Sequence, residues 1–161
     1  MRSEILSYGL MGALAIGLLI AAYTDMRRRQ ITNWLNLAIA LAAPLFWWAS
    51  GLDLLPGVAW QVGIAVLTFV VTAGLFALRA MGGGDVKLLT ALALWIRPND
   101  FMYLVLVMAV LGGVLTILLG CWHMARRQQS RLAIPYGIAI SAAAILTLID
   151  KTLPVLTATA G

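Results

Sequence analysis

Two aspartates stand where an apolar chain has little reason to carry charge. Asp25 closes the first apolar run, in Tyr23-Thr24-Asp25-Met26-Arg27-Arg28-Arg29-Gln30-Ile31-Thr32-Asn33. Asp85 follows three glycines, in Met81-Gly82-Gly83-Gly84-Asp85-Val86-Lys87. The apolar stretch after it, Leu88 to Ile96, is too short to cross a bilayer, which takes roughly 20 residues. A span of adequate length has to begin near Ala80, and that draws Asp85 and Lys87 into the membrane boundary. Charge at such depth is costly and usually functional. Two carboxylates brought together can divide the work of peptide hydrolysis. The ionised one takes a proton from water, and the protonated one polarises the scissile carbonyl. Close like charges in a low dielectric cannot both ionise, so such a pair shares one proton and titrates as a unit.

Each of these residues also has a purely structural use. If the first helix continues past Asp25, Arg28 and Arg29 are its i+3 and i+4 neighbours and can pair with it. Thr32 or Asn33 is a natural N-cap for the second span. Gly82, Gly83 and Gly84 either make a flexible hairpin or admit another chain at close range. Lys87, two residues beyond Asp85, faces away from it in a regular helix; it could hold a lipid phosphate, orient the site or mark topology. Pro135-Tyr136-Gly137 opens the last span, as an ordinary helix start or as a wall of the site. No serine, cysteine or histidine set competes. His123 is the only histidine and Cys121 the only cysteine, which leaves no internal disulfide and no Cys-rich zinc site. Two acids and one histidine are a thin ligand set, so neither a metal nor another cofactor is expected.

The elements that must position these groups are membrane helices. The chain has 161 residues, 63% hydrophobic and 11% charged, with a mean hydropathy of +0.98. Soluble domains carry about 25% charged residues. Six apolar segments appear, at about 5–23, 34–50, 57–78, 80–96, 101–122 and 133–150. The expected fold is therefore all-α: a polytopic, six-transmembrane-helix bundle, its short fourth helix preceded by a glycine-rich hairpin. Residues 1–161 form one membrane domain with no separate soluble unit. Ala13-Leu14-Ala15 looks like a signal-peptidase site, but the apolar run continues to Ala22 and the positive n-region is almost absent, so the first span is expected to be retained.

Orientation follows from the cations. Arg27, Arg28, Arg29, Arg79, Lys87, Arg126, Arg127 and Arg131 fall in alternate connections, while Arg2, Arg97 and Lys151 fall on the other side. The positive-inside rule makes the first group cytoplasmic and puts both termini outside. That bias accounts for the net charge of +5 without nucleic acid. Trp34 and Trp122 then mark cytoplasmic ends, and Trp47, Trp48, Trp60 and Trp95 outer ends, as interfacial belts. Of the acids, Asp25 and Asp85 alone face the cytoplasm.

The paired motifs Asp25-x-Arg-x-Arg-x-Ile-x-Asn and Gly82-x-Gly84-Asp85-x-Lys87 resemble those of the type IV prepilin peptidases, membrane aspartic proteases that remove leaders from prepilins. The short form, with Pro135-Tyr136-Gly137, resembles the subfamily serving Flp or tight-adherence pili. The resemblance covers essentially the whole chain. It implies that Asp25 and Asp85 are the catalytic pair. It also brings Gly82, Gly83, Gly84, Lys87, Arg29, Asn33, Pro135, Tyr136 and Gly137 forward as substrate-binding or site-shaping residues. Partners would be prepilin or pseudopilin precursors and membrane lipids, with cleavage at the cytoplasmic face of the bacterial inner membrane. Thr32 departs from the proline that relatives often carry there. The cysteine-containing region tied to N-methylation in longer members has no counterpart. Two other classes share features with the chain: a small transporter or channel using intramembrane acids as a relay, and a presenilin-like protease with the same GxGD element.

Overall fold

The computed structural model describes residues 2–125 and 136–159. Among the described residues the regular structure is helical throughout: α1 (Arg2–Arg28), α2 (Asn33–Ala49), α3 (Ala59–Ala77), α4 (Gly83–Ala93), α5 (Pro98–Ala125) and α6 (Tyr136–Thr159). An irregular helical turn, Leu54–Val58, precedes α3.

The helix ends have local causes. α1 stops where Arg29 turns left-handed (φ 54), its N–H donating to the Asp25 carbonyl at 2.7 Å. α2 and α3 both end in the paired hydrogen bonds of a Schellman motif. In α2 the amides of Gly51 and Leu52 reach back to Trp48 and Trp47; in α3 those of Arg79 and Ala80 reach Phe76 and Leu75. Gly51 takes the required positive φ of 66 freely, whereas Arg79 takes 58 with a side chain attached. α5 opens on Pro98, where a missing N–H costs nothing.

Three helical stretches are long and apolar enough to cross a membrane: Glu4–Arg28, Leu54–Ala77 and Pro98–Met124. With an all-helical fold, they make this a helical membrane protein. The expectation of six full crossings is corrected in one place above all. α4 has 11 residues, about 16 Å of helix against a hydrocarbon core of about 30 Å. Residues 80–82 are used by the turn out of α3, and the bonds tighten again at the other end, where Trp95 donates to Leu92 at 2.9 Å. The apolar part of α6 described, Tyr136–Asp150, is also short of a crossing length.

What shelters α4 is protein. Asp85, Val86, Leu88, Leu89, Ala91, Leu92 and Ala93 are all buried, so the helix is covered nearly all round, the signature of a core helix. Its neighbours are α2, α3 and α6. α6 also packs on α1 and α5, with Ala139, Ala143 and Ala144 buried; small residues let helix backbones approach. Large apolar residues on α1, α3 and α5 remain exposed, Leu67 and Ile117 among them, as a lipid-facing surface requires.

Two tryptophans expected in the outer belt turn inward instead. Trp95 is buried, stacks on Phe46 with ring centroids 4.9 Å apart, and donates to the Ile39 carbonyl at 2.8 Å. Trp47 donates to the Leu94 carbonyl at 2.7 Å. Trp34, Trp48, Trp60 and Trp122 are exposed, as a belt requires.

Because α4 is held by packing, truncating its fully buried Leu92 is expected to cost roughly 2–5 kcal/mol. Leu67→Ala, on the exposed face of α3, should cost little, since lipid tails are as apolar as leucine. Equilibrium unfolding in mixed micelles compares the two; equal losses would refute the core role of α4.

Candidate active site

Asp25 lies in the last turn of α1 and is 6% exposed. Its Oδ2 accepts a hydrogen bond at 2.8 Å from the backbone N–H of Gly137, in the first turn of α6. The Ile138 amide faces the same carboxylate. The free N–H groups at the start of α6 therefore meet the acid, the favourable end of a helix for an anion. Pairing with the arginine cluster, the alternative open from sequence, is not the main contact. Arg29 makes the i+4 backbone bond but turns left-handed as it does so, leaving the helical path of α1 while staying close enough to attract the carboxylate. Arg27 lies over the Tyr23 ring, 5.7 Å from its centroid.

Gly137 makes this contact possible. A Cβ at that position would fall 2.8 Å from Asp25 Oδ2 and 2.9 Å from Ile31 Cδ1. Tyr136 turns the other way, to α5: a Cβ on Gly112 would meet its ring at 3.2 Å, and its hydroxyl is 3.4 Å from Thr116 Oγ1. Pro135 lies outside the described residues.

Asp85 is the third residue of α4 and 8% exposed. Gly82 is the N-cap, and the Asp85 carboxylate reaches back to its backbone amide, which is the return half of a capping box. The glycines serve close approach rather than unusual φ. Gly82 has an ordinary φ of −76, but a Cβ there would stand 2.9 Å from Asp85 Oδ2. One on Gly83 would meet the Phe76 ring at 3.3 Å, and one on Gly84 would meet Ile31 Cβ at 3.2 Å.

The connection between α1 and α2 closes the site. Thr32 occupies the N-cap position of α2, without a side-chain cap hydrogen bond. Asn33 is then the first helical residue, and its Oδ1 accepts from Lys87 Nζ at 2.7 Å. Lys87 thus ties α4 to the start of α2 from outside the cleft. Asp25, Arg29, Asn33, Gly82, Gly83, Gly84 and Asp85 line one open cleft of about 560 Å³. The two carboxylates are close enough for the charge of Asp25 to act on Asp85.

Two contributors escaped the sequence reading as site residues. Ile31, buried at 7% exposure, is wedged between Gly84 and Gly137 and so between the two aspartates' supports. Asn36, 4% exposed, donates from Nδ2 to the Gly84 carbonyl at 3.3 Å, while its Oδ1 has no partner. The available signal was an amide on a helix face otherwise apolar, one turn after Asn33.

A buried carboxylate pair held by separate helices of a membrane bundle defines the class, a membrane protein with the makings of an acid–base site. The Peptidase_A24 family model, the type IV leader peptidase family, matches residues 12–117, and the chain belongs to that family. The match takes in both aspartates and ends within α5. Neither the curated proteins nor the solved structures give a significant match. Family membership makes this a leader-peptidase-type protease of the membrane.

Gly137→Ala is expected to cost roughly 1–3 kcal/mol by overpacking and to displace the Asp25 carboxylate from its amide. Gly113→Ala, with nothing within 4 Å of the added methyl, is the matched control and should be near neutral. Thermal unfolding of both variants in the same detergent decides; equal midpoints would mean that the close approach is unimportant.

Proposed function

We propose that the chain is an aspartic prepilin peptidase in which Asp25 and Asp85 jointly activate water against a peptide bond. The observation that carries this is the pair itself: two buried carboxylates, from α1 and α4, lining one cleft. Water between them gives its proton to the ionised partner as its oxygen attacks the carbonyl carbon. The protonated partner hydrogen-bonds the carbonyl oxygen and transfers its proton as the tetrahedral intermediate forms. On collapse the C–N bond breaks, the leaving nitrogen takes the proton first removed from water, and one hydroxyl of the intermediate returns its proton to the second carboxylate as the C=O bond reforms. The two limbs of a bell-shaped pH–rate profile would belong to the pair and not to either acid.

The substrate on this reading is a type IV, Flp-like prepilin or pseudopilin, cut where its basic leader meets its apolar helix. The cleft would face the cytoplasm from the inner membrane, in a multi-pass chain with both termini outside. The placement of cations supports that orientation. The six-helix count is kept, with α4 as a half-length member enclosed by the others. Arg29, Asn33 and the glycine turn, which share the cleft with the acids, would contact extended substrate backbone. Lys87, Tyr136 and Gly137 would shape the site from behind. Asn36 and Ile31 join them as positioning residues.

Co-expression with a prepilin reads the proposal directly. Asp25→Asn and Asp85→Asn should each lower leader removal by at least about 100-fold, the scale of lost acid–base catalysis, with the protein still present in the membrane. Cleavage retained by either variant would end the dyad mechanism. Lys87→Met should retain cleavage with a smaller loss, on the order of tenfold or less, as expected for a residue that orients and does not react.

A further inference from the structure

α4 is enclosed except along one stripe. Apart from Gly84, which lines the cleft, the residues of α4 and its C-cap that are not buried are Gly83, Lys87, Thr90 and Leu94. They recur every three or four positions and so share one face of the helix. Two helices run along that face. From α2, Asn33 Oδ1 accepts from Lys87 Nζ at 2.7 Å, and Trp47 Nε1 donates to the Leu94 carbonyl at 2.7 Å. From α3, the Phe76 ring lies against Gly83, and Gln61 Nε2 donates to the same Leu94 carbonyl at 3.2 Å. α2 and α3 each pack along α4 and make no comparable contact with each other. The stripe stays exposed between them, so the three helices form a slot with α4 as its floor. From Gly83 to Leu94 it is about 16 Å long.

The walls of the slot are apolar and its two ends differ. Leu37, one turn after Asn33, and Phe76 are both exposed, while Ala40 and Thr90 add little bulk to the middle. Lys87 is drawn to the Asn33 amide near the cleft, which leaves the stretch from Thr90 to Leu94 without a charge. The far end is bridged where Trp47 and Gln61 meet at Leu94. Those two residues also line a second cavity of the bundle, of about 450 Å³. The near end is open, because Asn33 and Gly83 line the cleft that holds Asp25 and Asp85. Slot and cleft are therefore continuous. Elsewhere around the cleft the helices close on one another, α1 against α2 and α6. A chain lying between the aspartates reaches the bilayer through the gap between α2 and α3.

We propose that this slot receives the apolar helix of the substrate, beginning just beyond the cleaved bond. The assignment rests on the leader-peptidase reading of the site. A peptide bond presented to two carboxylates has to be extended and reachable, whereas a backbone in hydrocarbon has to be helical so that each N–H and C=O is paired. Cleft and slot supply those two settings in succession, polar groups first and apolar walls about one helical turn further on. The length of the slot matches about three turns of helix. Side chains spaced at i, i+3, i+4 and i+7 on the substrate lie between Leu37 and Phe76, the usual way a helix fills a groove. In the membrane such docking draws on close packing, since leaving lipid for protein gains nothing from hydrophobicity itself.

Photocrosslinking in membrane vesicles that hold the full chain and a co-expressed prepilin tests it. Leu37→p-benzoylphenylalanine and Phe76→p-benzoylphenylalanine should each give at least about fivefold more adduct with the apolar segment of the prepilin than Ile117→p-benzoylphenylalanine, on the exposed face of α5. Thr90→Phe, which fills the floor of the slot, should raise KM at least about fivefold and leave kcat within about twofold. Leader removal by the wild type in the same vesicles separates two kinds of failure. Cleavage accompanied by equal adducts at the three positions, by lipid adducts alone at Leu37 and Phe76, or by an unchanged KM in Thr90→Phe overturns the slot and leaves the protease reading standing. Absence of cleavage by the wild type removes the substrate, and the slot assignment falls with it.

Discussion

An eleven-residue helix cannot stand in a bilayer by itself, and the rest of the structure follows from that constraint. The first four N–H groups and last four carbonyls of any helix need partners, and in hydrocarbon there is no water to supply them. α4 finds them in its own protein. At its start the Asp85 carboxylate returns to the Gly82 amide, and Asn36 adds a bond from α2 to the Gly84 carbonyl in the first turn. At its end Trp47 and Gln61 converge on the carbonyl of Leu94. The surrounding helices must approach closely enough to make these bonds. That requirement explains why α4 is buried on almost every face, and why three glycines stand in a row at its entry.

The same constraint makes buried carboxylates tolerable. An isolated ionised acid in a dry setting would neutralise or force the bundle apart. Here each aspartate sits at the positive end of a helix: Asp85 in the first turn of α4, Asp25 against the first amides of α6. Two helix N-termini therefore point at one cleft, each offering N–H groups to a carboxylate carried by its own or another helix. Ile31 fills the space between them. Arg29 adds attraction from the rim without closing over the acid, which stays turned toward α6. A pair so held keeps oxygen atoms available to a third molecule, as a pair bound in ion pairs would not.

Much of this was legible in the sequence, for a physical reason: charge in an apolar chain is rare, so Asp25 and Asp85 stood out, and the glycines beside Asp85 marked a close approach. The number of crossings was less legible. Hydropathy counts apolar residues without asking whether lipid or protein covers them, and the run 80–96 reaches a crossing length only by including residues that form turns. Trp47 and Trp95 were misplaced for a related reason, since an indole N–H satisfied by a backbone carbonyl looks the same in sequence as one at a lipid headgroup. Asn36 and Gln61 were passed over because an uncharged amide hardly disturbs a hydropathy window. In a dry interior, an amide is the group best able to hold a helix end, because it donates to a bare carbonyl without bringing a charge.

A half-length helix also accounts for the two hollows of the bundle together. A helix shorter than its neighbours α2, α3 and α6 leaves space beyond each of its ends. Beyond the N-terminus of α4 that space is the cleft with the two acids; beyond the C-terminus it is the cavity holding Gln61. The helix dipole makes the two ends opposite in character: amides at the first suit carboxylates, while at the second the Leu94 carbonyl takes the Trp47 and Gln61 donors. Lengthening α4 to fill either space would move a terminus, its partners and the charge preference at that end all at once. The short helix is therefore the feature that sets the chemistry of both ends, and packing around it keeps them apart.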